Sequence, residues 1–133
     1  LTPVAVSGLT NATAIATGFD RACALLSTGG IDCWGTAAVL GNGTTTESLT
    51  PVAVSGITNA TAVTAGDEHA CALLSAGDVE CWGYNGDGEL GNGTTTDSST
   101  PVPVSGITNA TAVIAGIEHA CAALHRRRRL LGQ

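Results

Sequence analysis

Between Ala70 and Trp82 the chain is apolar at most positions, and alternate residues fall into two sets. Cys71, Leu73, Val79 and Cys81 form one set. Ala70, Ala72, Leu74 and Trp82 form the other. In a strand the two sets point to opposite faces. A sheet that is oily on both faces needs a neighbour on each side. Ser75-Ala76-Gly77 breaks the pattern and reads as a three-residue hairpin loop, in which Gly77 supplies the left-handed residue after a type I turn. That loop sets the register. Leu74 faces Asp78 as a hydrogen-bonded pair, Leu73 faces Val79, Ala72 faces Glu80 and Cys71 faces Cys81. The cysteines then form a non-hydrogen-bonded pair, where Cα atoms approach to about 4.5 Å and a disulfide fits. Residues 23–33 repeat the arrangement around Ser27-Thr28-Gly29, which predicts a second bridge, Cys23 to Cys33.

The hairpin belongs to a longer repeat. Thr2-Pro-Val-Ala-Val-Ser-Gly8 returns from Thr50 to Gly56 and from Thr100 to Gly106, at spacings of 48 and then 50 residues. Asn-Ala-Thr-Ala follows at 11, 59 and 109. The first copy is shorter because Trp34-Gly-Thr-Ala-Ala-Val-Leu40 replaces Trp82-Gly-Tyr-Asn-Gly-Asp-Gly-Glu-Leu90. The chain divides into repeat one (1–49), repeat two (50–99), a partial repeat three (100–124) and a basic tail (125–133), about two and two-thirds repeats. Each unit offers four short strands. Pro-Val-Ala-Val starts with a proline and suits an outer edge. Ala62-Val-Thr-Ala-Gly66 and its copies carry small side chains, as expected where strands crowd an axis. The two hairpin arms complete the set. Leu90-Gly-Asn-Gly-Thr then leads the chain away through an Asn-Gly turn. Stacked four-stranded sheets on a period near 50 residues describe β-propeller blades, so the predicted fold is all-β: tandem four-stranded blades in an incomplete ring.

Composition agrees. There is no Met or Lys, aromatics make up 3%, and small and β-branched residues dominate. Such residues suit stacked sheets better than a helical core. No apolar run approaches the length of a membrane-spanning helix, so no membrane span is expected. The sequence starts inside a repeat, with neither an initiator Met nor a signal peptide, which points to a processed product or an excised piece. The net charge of −6 conceals an asymmetry: four of the five basic residues are Arg126, Arg127, Arg128 and Arg129. In the body Arg21 stands against eleven Asp and Glu. An acidic body repels nucleic acid, which is not expected as a partner. The arginine tail suits an acidic partner or membrane surface, or is a solvated, cleavable end. Two disulfides imply an oxidising compartment, hence a secreted, extracellular or cell-surface protein. Cys121 is left over, because Leu131 stands where its partner would lie. It is a candidate free or intermolecular thiol.

On these residues the chain resembles the regulator of chromosome condensation repeat family. The pattern is Ala-Gly-x-x-His-x-Cys-Ala-Leu, then Gly-x-Val-x-Cys-Trp-Gly, then Asn-Gly-Asp-Gly-Glu-Leu-Gly-Asn-Gly-Thr, over residues 1 to about 124. It is most similar to secreted, cysteine-bearing, Thr-rich versions. The resemblance implies a propeller. The eukaryotic namesake is a seven-bladed one that exchanges guanine nucleotide on a small GTPase and sits on chromatin. Another relative of the fold inhibits β-lactamase outside the cell. Fewer than three repeats do not close a seven-bladed ring, and disulfides with an acidic, Lys-free body sit badly with a nuclear role. No contact loop of the namesake carries over residue by residue.

Candidate sites each have a plainer reading. Asn11, Asn42, Asn59, Asn92 and Asn109 head Asn-x-Thr tripeptides, candidate N-glycosylation sites, but the same residues make turns. His69 and His119 precede the cysteine strand. Cys-x9-Cys is not zinc spacing, so a structural hydrogen bond to a neighbouring blade is expected and no metal. Asn85-Gly-Asp87-Gly-Glu89 has a slight calcium-loop look, yet Thr36-Ala-Ala-Val39 in repeat one lacks every ligand, which favours a turn. Trp34 and Trp82 are expected between blades rather than as exposed anchors. There is no nucleophile–base set and no phosphate cradle, so neither an enzyme nor a cofactor is expected. The function class is a structural or protein-binding module. Its partner is itself, as a homo-oligomer or filament joined through open blade edges, or another protein. A piece of a longer propeller and chains joined through Cys121 are further readings. A regulatory partner, such as an exchange factor for a small GTPase or an enzyme inhibitor, is the competing class.

Overall fold

The computed structural model describes residues 2–37, 39–115 and 120–124. These residues form ten strands and no helix. They are β1 (Ala12–Thr17), β2 (Arg21–Leu26), β3 (Ile31–Gly35), β4 (Ser48–Ala53), β5 (Ala60–Ala65), β6 (His69–Leu74), β7 (Val79–Gly83), β8 (Ser98–Pro103), β9 (Ala110–Ala115) and β10 (Ala120–Leu124). Three antiparallel sheets result, in the orders β1-β2-β3-β4, β5-β6-β7-β8 and β9-β10.

Both hairpins adopt the predicted register. Cys71 pairs with Cys81, Ala72 with Glu80 and Leu73 with Val79; Cys23 pairs with Cys33 in the same way. Disulfides join both cysteine pairs, with Cα atoms 4.1 Å apart for Cys23–Cys33 and 4.0 Å apart for Cys71–Cys81. The loop glycines Gly29 and Gly77 take φ of +88° and +94°. They also let the next sheet approach: a Cβ on Gly29 would lie 2.4 Å from the Thr58 carbonyl oxygen, and the Ala60 N–H donates to the Gly29 carbonyl at 2.9 Å.

The outer strand of each sheet comes from the repeat that follows. Ser48–Ala53 closes the first sheet by pairing with β3, and Ser98–Pro103 closes the second by pairing with β7. Sheet limits are thus offset from the sequence period. The expected strand at Pro3-Val4-Ala5-Val6 does not form. Its copies dock on β3 and β7 of the hairpins before them. Val4 is left 86% exposed.

The two alternate faces of the second sheet pack in opposite directions. Ala70, Ala72, Leu74 and Trp82 join Cys23, Leu25, Ile31 and Cys33 of the first sheet in one core. Cys71, Leu73, Val79 and Cys81 join Ala110 and Val113 of the third in another. Strands β2 and β6 pack on β5 and β9, and the strands with small side chains, β1, β5 and β9, also lie against each other. A bulge at Thr13, Thr61 and Thr111 bends each of these strands. The three hydroxyls donate to the carbonyls of Leu25, Leu73 and Ala123 across the ladder, at 3.3, 3.4 and 3.3 Å.

Candidate functional site

Antiparallel order puts the β1–β2 and β5–β6 turns at one end of the sheets, together with the long loops 36–47 and 84–97. This end holds Asp20, Arg21, Glu68, Tyr84, Asp87, Glu89 and Asp97. The hairpin loops and the Asn-Ala-Thr segments lie at the other.

The loop of the second sheet is built on Asn85, which is fully buried. Its Oδ1 accepts from the Leu90 N–H at 2.9 Å. Its Nδ2 donates to the carbonyls of Thr94 at 2.9 Å and Thr96 at 3.0 Å, and to Thr94 Oγ1 at 3.1 Å. The Asn85 N–H donates to Asp97 Oδ1 at 2.8 Å, and the Asp87 N–H to Glu89 Oε1 at 2.8 Å. Of the side chains that hinted at calcium, Asn85 and Glu89 are spent on the loop's own backbone. In the first sheet Ala37 takes the place of Asn85, and the loop is two residues shorter.

That shortening leaves room beside the second loop. A cleft of about 250 Å³ lies there, walled by Asp20, Arg21, Ala37 and Val39 on one side and Glu68, Tyr84 and Asp97 on the other. Arg21 sits in its floor with its side chain only 2% exposed. Nη1 donates to the Val39 carbonyl at 2.9 Å, tying the short loop to β2. Loss of water holds the guanidinium pKa below its ordinary value, opposed by Asp20 and then Glu68. Tyr84, 37% exposed, has its pKa pushed above the usual phenol value. Asp87 is the largest cause, followed by partial burial and by Glu89, Glu68 and Asp97. Nothing in the repeat pattern marks this cleft. The signals present were the two-residue deletion, the lone Tyr and the lone Arg of the body.

The other candidates are placed as follows. Trp82 is fully buried against the first sheet, on Gly41, whose Cβ would lie 2.7 Å from its ring. Trp34, its counterpart, is half-buried. His69 is fully buried at the start of β6, opposite Gly83. Cys121 is exposed on β10. Asn59 Nδ2 donates to Ser75 Oγ at 3.2 Å, and Asn11 Nδ2 to Ser27 Oγ at 3.5 Å. Asn109 stands at the same place before β9. Asn42 and Asn92 accept through Oδ1 from the hydroxyls of Thr44 and Thr94, at 2.9 and 2.8 Å. Turn and strap chemistry thus uses the side chains of Asn11, Asn42, Asn59 and Asn92. His119 and Arg126 to Arg129 lie outside the described residues. Among the described residues no cluster of three or more His, Cys, Asp or Glu could hold a metal ion, and no helix is long and apolar enough to cross a membrane.

Four-stranded antiparallel sheets, packed face to face with their small strands together, define an open segment of a β-propeller. The sequence pattern called "Regulator of chromosome condensation (RCC1) repeat" matches residues 29–73 and 76–123, and a second form of it matches 60–89. The chain belongs to that repeat family. No curated protein matches. Among solved structures, human WBSCR16 is similar at 25% identity, over 92% of this chain and 33% of that one, with a TM-score of 0.82. Prp20p from Saccharomyces cerevisiae is similar at 17% identity, over 90% of this chain and 32% of that one, with a TM-score of 0.75. Its structure is described with its binding to Gsp1p and histones. The ectodomain of the Physcomitrella patens receptor kinase CR4 follows at 25% identity, 89% and 28% coverage and a TM-score of 0.54. The chain spans about a third of the length of these proteins.

Proposed function

We propose that this chain is a non-catalytic, protein-binding propeller segment of an oxidising, extracellular setting, and that its open blade faces associate with further blades of the same kind. The observation that carries the reading is the state of the two outer faces. Ile15 stands where Val63 and Val113 stand in the later sheets; those two pack against a preceding sheet, whereas Ile15 is 60% exposed. Ile114 stands where Thr64 stands, and the Thr64 hydroxyl accepts from the Ala115 N–H of the following sheet at 3.0 Å. Ile114 is 66% exposed. The ends are therefore the two halves of an interface already made twice inside the chain. Joined head to tail, copies give a ring or a filament. The two disulfides support the oxidising setting. Asn59 and Asn109, exposed near the hairpin loops, are the glycan acceptors this setting favours. The exchange-factor reading rests on membership of the repeat family, and the likeness to Prp20p, at 17% identity, speaks for the fold alone.

Sedimentation equilibrium of the oxidised chain tests this. Mass well above the 13.1 kDa of one chain is expected at micromolar concentration, falling to one chain for Ile114→Asp. A natural chain that stays monomeric would overturn the association.

A further inference from the structure

The cleft between the first two sheets has no part in the blade-face contacts. Its walls come from both sheets, and it carries three carboxylates, Asp20, Glu68 and Asp97, against the one guanidinium of Arg21. Two atoms at its floor are left over. Asp20 Oδ1 and Arg21 Nε are buried, and neither has a hydrogen-bond partner. They stand 3.9 Å apart, too far for a hydrogen bond between them. Both lie beneath the accessible surface, so they set the charge under the cleft and are not themselves contact points. Arg21 does not make this an anion site, because an anion there would face the three carboxylates.

We propose that the cleft takes a basic side chain, Arg or Lys, from a protein partner, a reading that rests on the protein-binding role above. Ala37, Val39 and the Tyr84 ring offer apolar surface for the aliphatic stem. The cationic head lies among Asp20, Glu68 and Asp97, beside the face of the phenol. Behind Asp87, burial and Glu89, the carboxylates Glu68 and Asp97 help to raise the Tyr84 pKa, and these two face the cation.

The test is calorimetric titration with a blocked pentapeptide, acetyl-Gly-Ala-Arg-Ala-Gly-amide, and with its citrulline counterpart, which keeps the shape and loses the charge. The natural chain is compared with one carrying Arg126→Gln, Arg127→Gln, Arg128→Gln and Arg129→Gln, so that its own arginines do not compete. Saturable binding of the arginine peptide is expected, with citrulline about tenfold weaker, and each of Glu68→Gln and Asp97→Asn about fivefold weaker. Both carboxylates are on exposed residues, and Asp97→Asn keeps an acceptor for the Asn85 N–H, so both variants fold. Absence of binding, equal binding of citrulline, or indifference to both substitutions would each overturn the proposal. The sedimentation result is independent: a chain that associates but ignores the peptide loses the cleft and keeps the blade-face reading.

Discussion

Truncation of Asn85 separates a self-contained turn from an ion-dependent loop. Asn85→Ala removes the acceptor of the Leu90 N–H, and Leu90 is fully buried. Stranding that donor costs about 1–3 kcal/mol. The two hydrogens on Nδ2 serve the carbonyls of Thr94 and Thr96 and the Thr94 hydroxyl. These acceptors lie in an exposed loop that water reaches, so only the net value of each bond is lost, about 0.5–1.5 kcal/mol apiece. Counting one bond for each of the two hydrogens, the expected destabilisation is about 2–6 kcal/mol. Asn85→Asp is expected to cost more than Ala, because it turns a carboxylate oxygen toward two carbonyl oxygens at the distances Nδ2 now holds. Urea unfolding followed by tryptophan fluorescence reads both, with and without calcium. A cost below about 0.5 kcal/mol for Ala would refute the reasoning. So would an Asp variant that calcium restores, since carboxylates in such loops are the ligands of that ion.

Tyr84 is the only tyrosine, so tyrosinate absorbance reports it alone. Its midpoint is expected above the ordinary 10.0 and should fall toward it in Asp87→Asn. The folded state holds the proton longer than the unfolded chain. The associated stability is complete below the unfolded value and is lost as pH rises through the folded one. An unchanged midpoint in the variant would contradict the assigned cause. Gly41→Ala places a Cβ 2.7 Å from the Trp82 indole at a φ of +92°. It should destabilise by about 1–3 kcal/mol through overpacking, in addition to the backbone strain. Gly56→Ala, at φ +74° with nothing within 4 Å, isolates the strain and should cost about 1 kcal/mol. Equal losses in thermal melts would show that the Trp82 contact is not what limits this position.

Short-range chemistry was readable from residue order. Three loop residues ending in glycine, with cysteines four positions before and four positions after, allow one hairpin register, and both hairpins take it. Alternation named the two faces, and each face met the neighbour its chemistry required. Longer-range pairing was not readable, because a strand's partner depends on twist and loop path rather than on its own residues. Pro3–Val6 and Pro51–Val54 have identical sequences, yet only the second contributes to a strand, which forms by pairing with β3. The cleft needs two loops of unequal length brought side by side from different repeats, so neither loop alone reveals it. Local backbone preference and side-chain period settled each hairpin. Which edges and loops meet was decided only when the sheets stacked, since those contacts join residues that the chain holds far apart.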